Sequence, residues 1–193
     1  GQKRRKEHPG YTGEEEFNYF LSVLFPDDEL MIMDYNRVIR DLNGYSFKGL
    51  YREVEKRFDV EEITGAEDNR PKERGTFCMY MEGHWFSCHI RQEDRTPEDP
   101  VADLDVSILQ NKLLGPVLGI RDPKTDGRID FAGGIRGMDE LVRRCEQDCA
   151  VAFAMYPTSI AELFAVADAG LLMPPKSTWF EPKLRSGLFI HEI

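Results

Sequence analysis

A tight turn between two β-type runs constrains the fold of this chain more than any other sequence feature. Residues 76–81 and 84–91 are rich in aromatic, sulfur-containing and β-branched side chains. The dipeptide Glu82-Gly83 between them is a strong hairpin signal, because glycine accepts the backbone angles that a short turn requires. The middle of the chain is therefore predicted to form two neighbouring antiparallel strands.

Other apolar patterns predict further strands and a set of helices around this hairpin. The predicted strands are residues 30–40, 128–132, 151–155 and 188–191. The predicted helices, which have apolar residues at helical spacing, are residues 14–25, 46–58, 106–118, 137–149 and 159–169. Together these elements predict an α+β fold (mixed α/β). Its sheet is mixed and largely antiparallel, with a central hairpin, and four to five helices pack against it.

Charge and composition exclude several classes of function. The chain has 25 basic and 35 acidic residues and a net charge of −10, which makes nucleic-acid binding an unfavoured function. The basic cluster Lys3–Lys6 is interpreted as a solvated helix end or linker. No apolar run approaches the ~18 residues of a membrane span, and no signal peptide is recognised. A cytoplasmic protein without membrane contact is predicted, and its four cysteines are interpreted as reduced thiols.

Two patterns resemble metal sites, and neither provides enough ligands. His84 and Cys88 share one face of a strand, and Cys78 joins them only if the hairpin loop has three residues. Three ligands at most fall short of the four that structural zinc sites use. Residues 122–130 begin like a calcium-binding loop, but Lys124 stands where a carboxylate is required. No metal site is therefore predicted.

A proline-rich segment near the carboxyl end, residues 173–187, is the main candidate for ligand binding. Its prolines exclude an ordinary helix or a central strand. A stiff backbone can hold polar side chains for binding, and this segment carries a concentrated set of them. The predicted substrate- or phosphate-binding residues here are Lys176, Ser177, Thr178 and Lys183. The alternative interpretation is a structural strap that crosses the edge of the sheet.

Polar residues also interrupt the apolar strand predicted at residues 30–40. Arg37 could form a forked ion pair with a carboxylate or phosphate, and the neighbouring Asn36 is predicted to contribute to the same site. The alternative is that these side chains face solvent, because successive residues of a strand point to opposite faces. Arg37 and Asn36 join the predicted binding residues, and no catalytic residue is assigned.

These segments resemble one protein family across nearly the whole chain. Residues 151–193, with the quite specific sequence MPPKST, are similar to the carboxyl end of domain-of-unknown-function family 1015. Leu104–Leu109 resembles the middle motif of that family. Tyr35–Val38 is similar to a family strand that usually reads Thr-His-Arg-Val, and Asn36 stands in place of the usual histidine.

The resemblance implies that this chain is one half of a longer protein. Full-length members are similar in their first half to ParB-like proteins and to ParB-like free-serine kinases. That half ends with an Asp-Gly-His-His-Arg motif associated with nucleotide phosphates, which does not occur in this sequence. Residues 1–193 are therefore expected to form a single carboxyl-terminal α/β domain. Residues 1–12 are expected to be the remnant of an interdomain helix or linker.

The expected function follows from the same resemblance. This half is expected to be a non-catalytic module, either substrate-contacting, regulatory or oligomerising, of a cytoplasmic small-metabolite kinase that acts on serine. The alternative is a self-contained phosphate- or metabolite-binding enzyme domain that uses the Lys176–Lys183 loop. No cofactor is expected for this half, whereas the full-length protein would use ATP or ADP with Mg²⁺. The missing amino-terminal domain is the expected partner, with a homodimer as a further one.

Overall fold

A computed structural model describes residues 1–65, 69–183, 185 and 187–192 of the chain. Its contacts divide the chain into two units. The smaller unit comprises Gly1–Met31 and Pro182–Ile193, and the larger unit comprises Ile32–Glu181. The expectations of one carboxyl-terminal domain over residues 1–193 and of a linker at residues 1–12 stay predictions.

Eight strands form in the described part of the chain. In chain order they are β1 (Met31–Met33), β2 (Tyr35–Ile39), β3 (Asp59–Ile63), β4 (Thr76–Met81), β5 (His84–His89), β6 (Ile129–Gly133), β7 (Val151–Met155) and β8 (Trp179–Glu181). β1 and β8 form a two-stranded sheet. The other six form one sheet in the order β3-β5-β4-β7-β2-β6, and each neighbouring pair is antiparallel. The predicted α+β class with a largely antiparallel sheet is confirmed.

The central hairpin has the short loop that its sequence predicts. Glu82 and Gly83 have φ values of 49° and 86°, the left-handed conformation that matches the twist of the flanking strands. This two-residue loop aligns Cys78 with Ser87 rather than with Cys88. Cys78 and Cys88 therefore lie on opposite faces of the sheet, and they do not form the same-face pair that a three-residue loop would give.

Five α-helices accompany the strands in the described residues. They are α1 (Gln2–Glu7), α2 (Phe47–Glu55), α3 (Asp105–Leu109), α4 (Met138–Gln147) and α5 (Ile160–Asp168). A π-helix, Gln110–Leu114, directly continues α3. Serine side chains fix the starts of two helices: Ser46 accepts a hydrogen bond from the Gly49 N–H, and Ser159 forms a capping box with Glu162.

The six-stranded sheet buries apolar side chains on both of its faces. On the first face, Phe77, Met79 and Phe153 pack with residues of α2, α3, the π-helix and α5. On the second face, Val38 and Ala152 pack with residues of α4. Since side chains alternate along each strand, this division decides which face each polar strand residue reaches.

The prediction of a helix at residues 14–25 is wrong. Only Glu16–Asn18 form a short 3₁₀ turn there. The Glu15 carboxylate accepts hydrogen bonds from backbone N–H groups two and three residues before it, at 3.0 and 2.7 Å, which closes a local turn. Farther on, Phe20 and Leu24 are 83% and 88% exposed. A short helix needs a buried apolar face, and these side chains do not provide one.

Two strand predictions also need correction. The strand predicted at residues 188–191 is wrong, because the described residues there form no strand. β8 forms instead within the proline-rich segment, where it pairs only in the small sheet. β3 has no recognisable strand pattern in the sequence, because three of its five residues are acidic. Its backbone pairing with β5 stabilises it as a strand.

The smaller unit contains little regular structure among its described residues. The Arg5 Nε donates a hydrogen bond to the Asn18 Oδ1 at 2.7 Å, and the His191 Nε2 lies 3.0 Å from the carbonyl oxygen of Glu16. These contacts connect α1, the 3₁₀ turn and the last residues of the chain. None of the helices in the described part of the chain has the length and apolar composition that a membrane span requires.

Candidate functional site

Arg37 lies at the centre of the candidate site. It stands on β2, opposite Phe131 of β6 and Phe153 of β7, and therefore points to the first face of the sheet. Its side chain is buried, and its guanidinium lies 5.8 Å from the centre of the Phe131 ring. The Nη1 donates to the carbonyl oxygen of Tyr35, and the Nη2 donates to that of Lys176 at 3.2 Å. The guanidinium is thus held rigidly by neutral groups.

No carboxylate neutralises this buried charge within the described part of the chain. Among the described residues, Tyr35 is the titratable group that acts on the pKa of Arg37, and its effect is smaller than that of burial. Burial lowers the pKa of Arg37 to about 10, so the guanidinium is still charged at neutral pH. A buried cation is unfavourable unless a partner compensates for its lost hydration. The arrangement therefore favours an anion from outside the chain.

A cleft of about 520 Å³ opens beside the Arg37 side chain. Four segments of the larger unit form its walls: the loop before α3, the α3 and π-helix, the turn before β6, and the proline-rich segment. The polar residues that line it besides Arg37 are Asp99, Ser107, Gln110, Asn111, Asp122 and Lys124. The volume accommodates a small metabolite, and the lining combines the buried Arg37 with Lys124, two carboxylates and uncharged hydrogen-bonding groups.

The π-helix shapes one wall of this cleft. The Gly115 N–H donates to the carbonyl oxygen of Gln110 at 2.9 Å, five residues back, which widens the helix at this point. The Gln110 side chain also donates to the carbonyl oxygen of Ile120 at 2.7 Å. This bond fixes the Gln110 amide, and Gln110 and Asn111 both line the cleft. Short π-helical segments occur frequently at functional sites.

A second cavity, also about 520 Å³, adjoins the cleft. The two share Lys124, Phe131 and Pro175 in their linings, and the second cavity adds Lys176. The Lys176 Nζ lies 3.3 Å from the Tyr35 hydroxyl and 5.4 Å from the centre of its ring. The aromatic ring therefore stabilises the ammonium group through its π face. Both cavities thus contain a positively charged side chain.

The turn that carries Lys176 is built by its proline-rich sequence. Lys176 has φ 57°, a left-handed conformation that is unusual for a residue with a side chain. The Ser177 hydroxyl donates to the carbonyl oxygen of Pro174 at 2.7 Å, and the Thr158 hydroxyl donates to the carbonyl oxygen of Ser177 at 3.2 Å. These bonds fix the turn against the end of β7. The same segment orients Arg37, because the guanidinium donates to the carbonyl oxygen of Lys176.

Two glycines allow this segment to approach the sheet. A Cβ atom on Gly133 would lie 2.5 Å from the ring of Trp179, and one on Gly134 would lie 2.0 Å from the Asp34 carboxylate. Trp179 in turn packs edge-on against the Tyr35 ring at 5.3 Å. The sequence of these glycines weakly resembles a phosphate-binding turn. Their role in the fold is to admit neighbouring side chains that a larger residue would displace.

The structure brings together two of the predicted binding residues, Arg37 and Lys176. Ser177 is buried, and its hydroxyl is engaged within the turn. Thr178 is half-buried and precedes β8. Lys183 belongs to the smaller unit and is therefore left out of the candidate site.

Asn36 points away from Arg37, to the second face of the sheet. It lies opposite Ala132, which belongs to the apolar cluster of that face. Its amide nitrogen donates to the Asp34 carboxylate, and its Oδ1 accepts a hydrogen bond from the Met155 N–H at 2.8 Å. The side chain thereby extends the pairing of β2 with β7. A binding role for Asn36, as for Ser177, Thr178 and Lys183, stays a prediction.

Most of the cleft lining was missed by sequence reasoning. Asp99, Ser107 and Asn111 come from loops and a helix whose faces no local pattern identifies. Of the missed residues, only Lys124 could have been identified from the sequence. It lies in the loop-like residues 122–130, and a cation in a loop can reach a neighbouring site. The described residues contain no group of three or more His, Cys, Asp or Glu side chains that could hold a metal ion.

Replacing Lys176 with glycine should give a more stable protein than replacing it with alanine, by about 1 kcal/mol. Both changes remove the ammonium group, but only glycine adopts the left-handed conformation without strain. Urea denaturation of the two variants measures the difference. The matched pair Lys124→Gly and Lys124→Ala should show no such advantage for glycine. Equal stability of the two Lys176 variants would contradict the turn geometry.

Comparisons with known proteins yield a family and distant structural neighbours. A family model described as "Protein of unknown function (DUF1015)" matches residues 1–107. No match was found among the curated proteins. The solved structure of a free serine kinase variant in complex with AMP is 14% identical to this chain, with a TM-score of 0.48. The match covers 79% of this chain and 54% of that chain. A conserved hypothetical protein from Pyrococcus furiosus is 14% identical, with a TM-score of 0.47, 80% of this chain and 57% of that chain covered.

These solved structures are distant, and the chain spans only about half of their length. A free serine kinase variant in complex with ADP gives the same result, with 14% identity, a TM-score of 0.47, 79% of this chain and 54% of that chain covered. Likeness at this level does not bear on the activity of the present chain. The match to the family model, in contrast, covers more than half of the sequence.

Proposed function

This chain belongs to the DUF1015 family, as its sequence motifs predicted, and we propose that its larger unit binds the anionic group of a small metabolite beside Arg37. One observation carries the proposal. A buried, charged guanidinium faces a cleft of about 520 Å³, and no carboxylate of the described residues pairs with it. An anion in the cleft would accept the N–H donors of Arg37 that the backbone leaves unused.

The anion that fits this proposal best is a phosphate or carboxylate on a small polar molecule. Lys124 and Lys176 add positive charge, Asp99 and Asp122 add two carboxylates, and Ser107, Gln110 and Asn111 offer uncharged hydrogen-bonding groups. Phosphoryl transfer depends mainly on positioning and on charge stabilisation. A rigid arginine with nearby lysines therefore suits the substrate-contacting part of a phosphotransferase.

For the parent protein we propose a cytoplasmic small-metabolite kinase, with serine as substrate and ATP or ADP with Mg²⁺ as phosphate source. This chain would be its non-catalytic half, which contacts substrate and the amino-terminal domain. The support is the family resemblance of the MPPKST segment together with the position of Lys176 in the candidate site. No step of the reaction is assigned to the described residues.

Calorimetric titration of this chain with inorganic pyrophosphate tests the binding proposal. We expect saturable binding that weakens as the salt concentration rises, because an exposed part of the interaction is electrostatic. ADP should bind no more tightly than pyrophosphate, since the nucleoside contacts are expected in the other half. Absence of saturable pyrophosphate binding at low salt would contradict the site. Serine phosphorylation by this chain alone would instead support a self-contained enzyme.

A further inference from the structure

We infer that the larger unit has a second ligand site, for a small uncharged polyol, on the face of the sheet opposite Arg37. A cavity of about 270 Å³ lies there, lined by residues of β3, β4 and β5 and by residues 70–73. The inference does not depend on the proposed anion site, with which this cavity shares no residue.

Thr76, Ser87 and His89 form the hydrogen-bonding floor of this cavity, and Glu61 lies at its rim. In the strand register, Thr76 lies opposite His89, and Ser87 lies between Cys78 and Glu61 on the neighbouring strands. All five side chains line the cavity. The rest of this sheet face is apolar and is covered by α4, which packs on β2, β4 and β7. The floor is therefore a polar end of an otherwise apolar face, at the part that α4 does not cover.

A chain of hydrogen bonds through His89 prepares this floor for a ligand. The His89 Nδ1 lies 3.3 Å from the Thr76 hydroxyl, and its Nε2 lies 3.2 Å from the Ser87 hydroxyl. In a neutral imidazole one nitrogen donates and the other accepts. One hydroxyl therefore keeps its O–H for another acceptor, while the other keeps lone pairs for another donor. The floor then offers one donor and one acceptor, on either side of the His89 ring.

A ligand hydroxyl matches such a floor because it donates and accepts at once. A carboxylate only accepts and an ammonium only donates, so each would satisfy half of the floor. The charges at the rim of the cavity also favour an uncharged ligand. They are Glu61, Arg70, Lys72 and Glu73, two of each sign. This rim has no net charge, and both of its cations are exposed, unlike Arg37, so it does not select an ionic ligand.

Titration of the full chain with erythritol, followed by NMR signals of the His89 ring nitrogens, tests the inference. We expect a saturable shift, since erythritol hydroxyls would enter the Thr76–His89–Ser87 chain. Succinate, which also has four carbons but two carboxylates, should bind at least ~5-fold more weakly. Ser87→Ala should weaken erythritol binding about 5-fold, as expected for one lost hydrogen bond. Ser107→Ala, on the opposite face, should leave it unchanged.

Three results would overturn this site. They are a His89 signal that erythritol does not shift, succinate binding equal to or tighter than erythritol binding, and unaltered erythritol binding in Ser87→Ala. Thr76→Val, which preserves the shape of a buried side chain, provides a second variant and should also weaken binding. Thermal unfolding of each variant shows whether the fold is retained. Failure of pyrophosphate binding at Arg37 would not affect any of these outcomes.

Discussion

Replacing Gly134 with alanine should destabilise the larger unit by about 2–4 kcal/mol, the range of severe overpacking. The added Cβ would lie 2.0 Å from the Oδ1 and 2.5 Å from the Cγ of Asp34. The two residues cannot simply separate, because the Gly134 N–H donates to the Asp34 carbonyl oxygen at 2.9 Å. The Asp34 carboxylate also accepts the hydrogen bond from Asn36. Urea denaturation gives the free energy of unfolding.

Gly127→Ala is the matched control for this change. A Cβ on Gly127 would meet no atom within 4 Å, and its φ lies outside the left-handed region. Alanine there should be neutral, or stabilising by up to about 1 kcal/mol through the unfolded state. If Gly134→Ala and Gly127→Ala have equal stability, then the close approach of Asp34 to the end of β6 is incorrect.

Replacing Arg37 with methionine should reduce pyrophosphate affinity by at least about 30-fold. The guanidinium is the buried charge of the cleft, and losing a desolvated charge-assisted partner weakens binding by about 2–5 kcal/mol. Arg37→Lys keeps the positive charge but loses the forked guanidinium geometry. Its pyrophosphate affinity should therefore lie between those of the wild-type chain and Arg37→Met. Calorimetry on the three proteins measures the series. Arg143→Met, which removes an exposed arginine on α4, is the control and should bind normally.

The anion site at Arg37 also predicts that pyrophosphate affects the thermal stability of the wild-type chain and of Arg37→Met differently. Burial holds the pKa of Arg37 in the folded state at about 10, well below its ordinary value, so the charged guanidinium disfavours the folded state below that pH. A bound anion offsets this penalty at neutral pH. Pyrophosphate should therefore raise the unfolding temperature of the wild-type chain but leave that of Arg37→Met unchanged. An equal rise in both proteins would place the bound anion elsewhere.

Local sequence signals predicted the elements whose stability is local. The Glu82-Gly83 turn fixed the register of β4 and β5, and the Ser159 capping box identified the start of α5. The helix expected at residues 14–25 had good spacing, but spacing does not provide a surface to pack on. β3 shows the converse, because pairing with β5 stabilises a strand that its acidic sequence does not favour.

The candidate site also contains some residues that the sequence identified and others that it could not. Arg37 could be identified because a charged residue inside an apolar strand is unusual, and Lys176 because prolines hold it in a stiff turn. Asn36 could not be separated from Arg37 by chemistry alone. Only the alternation of β2 sends one to the cleft and the other to the opposite face. The π-helix wall depends on tertiary contacts, and no local pattern of Gln110–Leu114 encodes it.

The position of β3 at the end of the six-stranded sheet has a consequence for self-association. Its outer backbone groups have no neighbouring strand in that sheet, so they could pair with a strand of another molecule. Three of its five side chains, Asp59, Glu61 and Glu62, are acidic. Two copies of β3 placed edge to edge would bring these carboxylates together, which is unfavourable at neutral pH. The acidic sequence that obscured this strand therefore protects the sheet against growth into aggregates.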